Sequence, residues 1–117
     1  MRKKVVGLVE SIEVTGPAGT LSIKAKMDTG AERSSIDSAL AHKLGLGPVL
    51  GHVKVSSSAG NHKVRRPVVR ATLNVAGEEF NLKIGMTDRS WLRYRAIVGK
   101  DVLATGKFLI DPTKADP

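Results

Sequence analysis

The sequence contains no cysteine, which excludes a disulfide framework and any thiolate metal site. Aromatic residues are almost as scarce. Phe80, Trp91, Tyr94 and Phe108 are the only ones among 117 residues, so aliphatic side chains must build the core, and platforms for stacking bases are lacking. The three histidines, His42, His52 and His62, lie far apart with no HExxH pattern. Neither a metal nor another cofactor is expected from this chain alone. There is no apolar run of about eighteen residues, so no membrane-spanning helix is expected. In the opening "MRKKVVGLVESIEV", Glu10 interrupts the apolar stretch too early for a secretory signal, and a cytoplasmic location is expected.

Acidic residues are the minority charge. Nineteen Lys and Arg stand against eleven Asp and Glu, a formal net charge of +8. That balance suits a polyanionic partner (nucleic acid, anionic lipid or acidic peptide) as well as a plain soluble basic surface. The length fits one domain over residues 1–117 with a single core.

Along the chain, apolar residues alternate in part from Val5 to Val14 and again from Leu21 to Met27, with the turn residues of "TGPAGT" between them. This pattern predicts a hairpin. Ile36, Leu40 and Leu44 then fall four apart, predicting one short helix with Ser35 or Asp37 as cap and Gly45 as stop. Residues 53–75 read as a long hairpin turning at "SAGNH", with Pro67 at an edge or open to solvent because it cannot donate to a ladder. After the turn "AGEE" come the strand "FNLKIGMTD", the apolar run "RAIVG", one or two helical turns in "KDVLATG", and a last strand in "KFLID". About seven short strands with one or two short helices predict an all-β barrel.

The chemistry concentrates in "IKAKMDTGAERSSID". A strand running into Asp28-Thr29-Gly30 holds a carboxylate at its end, while glycine permits the close turn and threonine can lock it by a hydrogen bond. One carboxylate does little acid–base work. Two at about 3 Å cannot both ionise, so they share a proton and divide into acid and base. The chain has one such turn, so the second carboxylate would come from a second copy across a two-fold axis.

Asp28-Thr29-Gly30-Ala31, the hairpin in the middle and the late "AIVGKDVL" resemble the retropepsin-type aspartic proteases. Within that group, "KAKMDTGAERSSID", "RRPVVRATLNVAG", "TDRSWLRYRAIVGKDVL" and "FLIDP" are similar to the RimB-type family that carries the name "ATP-dependent zinc proteases". The resemblance implies a closed acid-protease barrel that works as a homodimer, with no zinc and no other cofactor. It further implies a peptidase for acidic peptides, above all the polyglutamate tails that an ATP-grasp ligase adds to a ribosomal protein.

The resemblance makes Asp28 the catalytic carboxylate, Thr29 the brace across the dimer and Gly30 the point where substrate backbone passes; each otherwise serves an ordinary turn. Ala31 and Arg33 would border the substrate. Glu32 stands where the polyglutamate-cleaving members often carry a basic residue. Retropepsins commonly pair an acidic residue there with a basic one after the late glycine, so Glu32 and Lys100 are expected to form a structural pair. The tip Ser56 to His62, with Ser58, is placed as a flap. Lys63 and Arg65 share one strand face, Arg66 and Arg70 the other. Guanidinium forks there suit glutamate carboxylates, or simply keep an edge strand soluble. Arg89 is a further candidate for substrate or structural pairing, and Trp91 and Tyr94 for packing or an interface. The competing function is a catalytically silent dimer binding acidic tails or RNA; nucleic acid is not expected as the main partner of the enzyme, nor is a membrane.

Overall fold

The computed structural model describes residues 3–56 and 63–117. Among them nine strands and two short helices follow in the order β1 (Val5–Val6), β2 (Val9–Gly16), β3 (Gly19–Met27), β4 (Ser35–Asp37), α1 (Ser38–Lys43), β5 (Gly51–Ser56), β6 (Lys63–Val75), β7 (Glu78–Thr87), β8 (Ala96–Val98), α2 (Lys100–Leu103) and β9 (Leu109–Ile110).

Six strands close on themselves. The order β2-β3-β8-β4-β7-β6 returns to β2 through pairing of Glu13–Thr15 with Thr72–Asn74, and β5 lies outside the ring on β6. Closure removes the sheet edges that an open sheet would leave exposed. The architecture is the all-β closed barrel with two short helices that the pattern predicts.

Period-two patterning builds the wall. On β6, Val69, Ala71, Leu73 and Val75 are buried while Arg70 is exposed. On β3, Ala25 and Met27 are buried between exposed Lys24 and Lys26. Two hairpins set the register. β2 and β3 join through Pro17 and Ala18 with Gly16 opposite Gly19. β6 and β7 join through Ala76 and Gly77, both at positive φ (51° and 82°), the pairing of backbone angles that matches strand twist. Pro67 faces His52 of β5 only, because pairing with β7 begins at Val68; its missing donor therefore costs no bond to β7.

Two expectations need correction. The stretch from Val5 to Val14 is not one strand. It breaks at Gly7, whose N–H is taken by Glu10 Oε2 at 2.7 Å, and β1 leaves the barrel to pair in parallel with β9. Ile36 is not on the helix face, because β4 uses it to bridge β7 and β8. Of the two caps the sequence offers, Asp37 is the one used. The strand count rises from about seven to nine through these two short elements.

Candidate active site

Asp28 follows directly on the last residue of β3. There β3 runs beside β8, Met27 opposite Val98, and Asp28 N–H donates to Val98 O at 2.8 Å. The turn then folds back: Gly30 N–H donates to Asp28 Oδ1 at 2.9 Å and Ala31 N–H to Asp28 O at 3.2 Å. The carboxyl is thus aimed by its own turn, at the mouth of a cleft of about 820 Å³. A Cβ on Gly30 would stand 3.2 Å from that same Oδ1, which is tight. Thr29 is exposed beside it.

A second segment locks this turn. Lys100 N–H donates to Ala31 O at 2.8 Å, and a Cβ on Gly99 would lie 2.7 Å from Ala31 O, so the late glycine is required by close backbone approach. Buried Ser34 completes the lock. Its Oγ accepts from Gly99 N–H at 2.9 Å and donates to Asp101 Oδ1 at 2.7 Å, and its N–H donates to Asp101 Oδ2 at 2.8 Å. Neither Ser34 nor Asp101 stood out in the sequence, since their 67-residue separation leaves no local signal.

Glu32 and Lys100 stand 2.9 Å apart, Nζ to Oε1, on the open rim of the cleft. Both are well exposed, so this pair contributes little stability. Ala31, Glu32 and Arg33 all border the cleft, with Val53 to Val55 of β5 and Arg66 of β6 on the side of the long hairpin. Arg33 Nη1 also donates to Lys83 O at 3.2 Å. Arg66 is half-buried and its Nε, though buried, has no hydrogen-bond partner among the described residues. Lys63 and Arg65 are exposed and do not line the cleft. Ser58 and the flap tip lie outside the described residues apart from Ser56, which ends β5.

Arg89 is half-buried in the loop between β7 and β8, where its Nε donates to Tyr94 O at 3.0 Å. Burial and the Arg66 guanidinium push its pKa down, while Asp28 and Asp37 push it up, with a net lowering. Arg89, a candidate for substrate or structural pairing, does not line the cleft that holds Asp28 and Arg66. The loop is fastened from below by Asp37, which is 1 % exposed. Its Oδ1 accepts from Arg89 N–H at 2.7 Å, and its Oδ2 from Arg95 Nη2 at 2.5 Å and Leu40 N–H at 3.4 Å. Burial raises the Asp37 pKa, but these donors outweigh it and hold the carboxyl below the usual range. The sequence marked Asp37 as a cap; its arginine partner 58 residues on was missed.

In the same loop Asp88 Oδ1 accepts from Ser90 N–H and Oγ, and those bonds lower its pKa. Trp91 is 77 % exposed and packs on nothing within the chain's core, whereas Tyr94 is half-buried under Arg93. Among the described residues no cluster of three His, Cys, Asp or Glu side chains could hold a metal ion, and no helix is long and apolar enough to cross a membrane.

A closed six-strand barrel that presents one Asp-Thr-Gly turn, latched by a late glycine and a one-turn helix, has the retropepsin-like acid-protease fold. The family model described as "Aspartyl protease" matches residues 11–103, and the chain belongs to that family. Among solved structures the chain is similar to a protein of unknown function from Legionella pneumophila subsp. pneumophila, at 19 % identity and a TM-score of 0.66, covering 98 % of both chains. It is also similar to the EIAV protease complexed with the inhibitor HBY-793, at 17 % identity, a TM-score of 0.68, and coverage of 88 % of this chain and 90 % of that one. The retroviral protease-like domain of Ddi1 from Leishmania major shares 19 % identity and a TM-score of 0.52 over 86 % of this chain and 78 % of that one. At these identities the structural likeness concerns the fold. No functionally curated protein matches the sequence.

Proposed function

We propose that the protein is a homodimeric aspartic peptidase that hydrolyses acidic peptides, with polyglutamate tails of a ribosomal protein as its substrate, in the manner of the RimB-type family. The observation that carries this reading is the company of Asp28. A carboxylate fixed in the cleft shares it with half-buried Arg66, whose buried Nε has no hydrogen-bond partner among the described residues. Guanidinium groups of this kind, partly shielded from water, suit side-chain carboxylates.

The proposed reaction needs two copies. Asp28 of one copy, protonated, donates to the scissile carbonyl oxygen while ionised Asp28 of the other takes a proton from water. The water oxygen bonds to the carbonyl carbon. On collapse of the tetrahedral intermediate the Asp28 that took the water proton passes it to the leaving amide nitrogen, and a diol hydroxyl returns its proton to the other Asp28. The C–N bond breaks, and the pair again shares one proton. Pairing is supported by exposed apolar side chains: Val5, Leu8 and Leu109 are about half exposed, and Leu8 O accepts from the N–H of Met27, the residue before Asp28. They belong to or adjoin the two-stranded β1–β9 sheet, which has open edges and is too small to be stable unaided. In this reading Thr29, exposed beside Asp28, braces its counterpart, and Ala31 and Arg33 flank the bound chain.

Incubation with a polyglutamate peptide from about pH 4 to about pH 8 should yield shorter products by mass spectrometry. The KM should rise with salt as exposed charges are screened. Arg66→Leu should raise KM for that peptide about tenfold or more, as expected for loss of a charge-assisted contact, with a much smaller effect on a neutral peptide. An intact peptide throughout that pH range, with a verified dimer, contradicts the assignment.

A further inference from the structure

Outside the cleft, β6 and β7 carry a charge arrangement that the barrel itself does not require. Arg70 and Lys83 are directly opposite each other in the β6–β7 ladder, and both are exposed. Like charges facing across strands oppose pairing, and neither side chain has a carboxylate within ion-pair distance among the described residues. The nearest acid along this face of β7 is Glu79, four residues away, or about 13 Å at the rise of a strand.

The pair is continuous with the cleft. Arg33, which borders the cleft, donates from Nη1 to the carbonyl oxygen of Lys83. Arg66, on the cleft side of β6, is four residues from Arg70 and on the same face of the strand. Val68, between Arg66 and Arg70 on that face, is buried. The cationic path therefore leaves the cleft through Arg33 and Lys83 to Arg70 rather than along β6, and an extended peptide covers the distance from Arg66 to Arg70 with about four further residues.

We propose that Arg70 and Lys83, joined to the cleft through Arg33, form an exosite outside it, which holds the continuation of an acidic peptide whose scissile segment lies beside Asp28. The proposal deepens the peptidase reading and rests on it. Acidic peptide fits better than nucleic acid because the path lacks aromatic side chains. Phe80, the sole aromatic of β6 and β7, falls on the opposite strand face from Lys83. The exosite makes cleavage depend on chain length, since a peptide that ends within the cleft gains nothing from it.

The test compares the wild type with Arg70→Ser/Lys83→Ser on glutamate peptides of about six and about sixteen residues, the shorter spanning about 20 Å and ending within the cleft. Both positions are exposed, and a melting temperature no lower than that of wild type verifies the fold. The wild type should show a KM about tenfold lower for the long peptide than for the short one, and the double variant should lose that advantage with kcat unchanged. A KM for the long peptide within about twofold of wild type, or an equal rise for both peptides, overturns the exosite. Should the wild type cut neither peptide, the peptidase reading fails, and the exosite is judged by fluorescence anisotropy of the long peptide. There an about tenfold weaker affinity of the double variant supports it and an equal affinity overturns it. A single-stranded oligonucleotide of matching charge that binds more tightly and displaces the peptide overturns the assignment to acidic peptide.

Discussion

Asp28→Asn is expected to lower kcat/KM on polyglutamate about ten-thousandfold while leaving melting temperature and oligomeric state unchanged. The amide is nearly isosteric with the carboxyl and its oxygen can still accept the 2.9 Å bond from Gly30 N–H, so the turn keeps its shape. What disappears is the ability to hold or release a proton. In a dimer of identical chains the single substitution removes both members of the acid–base pair, and no other carboxylate is poised to replace them. Among cleft-lining residues Glu32 is the other acid, and its carboxylate is engaged by Lys100 on the rim. Progress curves on one defined peptide decide the matter. Activity within about tenfold of wild type would show that Asp28 is not the proton carrier.

The largest effect on stability is expected at Asp37. Replacement by alanine removes an N-cap and strands two half-buried backbone donors and a guanidinium, so a loss of about 3 kcal/mol is expected. The effect should depend on pH in a defined sense. The folded-state donors depress the Asp37 pKa below its unfolded value, so its ionised form stabilises the fold above about pH 4, the unfolded value. That contribution drains away as pH falls through the folded pKa. Urea unfolding at neutral pH and near pH 3 should therefore show the gap between wild type and Asp37→Asn narrowing in acid. A gap that stays constant or widens would mean that the carboxylate charge is not what fastens the loop carrying Arg89.

Local pattern made much of the barrel legible. The alternation Ile23, Ala25, Met27 ends at Asp28 because one face of β3 is core and the other solvent, a relation written in consecutive residues. The Ala76-Gly77 turn and the position of Pro67 follow from backbone chemistry in the same way. Pattern failed where distant chain competed for a residue. The four-residue spacing of Ile36, Leu40 and Leu44 reads as one helix face, yet β7 and β8 claim Ile36 for a strand. The parallel pairing of Val5 and Val6 with Leu109 and Ile110 leaves no trace in either segment.

The site divides along the same line. The Asp-Thr-Gly turn is contiguous, and family resemblance pointed to the late glycine segment that closes on it. The bonds that hold the parts in place are not contiguous: Ser34 to Asp101 and Asp37 to Arg95 join residues more than fifty positions apart. Which basic residues meet the cleft was also beyond the strand period. That rule grouped Arg66 with Arg70, and only the fold separates the one that borders the cleft from the one outside it.

The account turns on two half-sites meeting, and subunit mixing measures that directly. Wild-type protein equilibrated with a ninefold excess of Asp28→Asn, under conditions that allow exchange, should retain about a tenth of its peptidase activity, because most wild-type chains then pair with a partner that lacks the carboxyl. Undiminished activity in the mixture would mean that each chain cuts on its own, which contradicts the account.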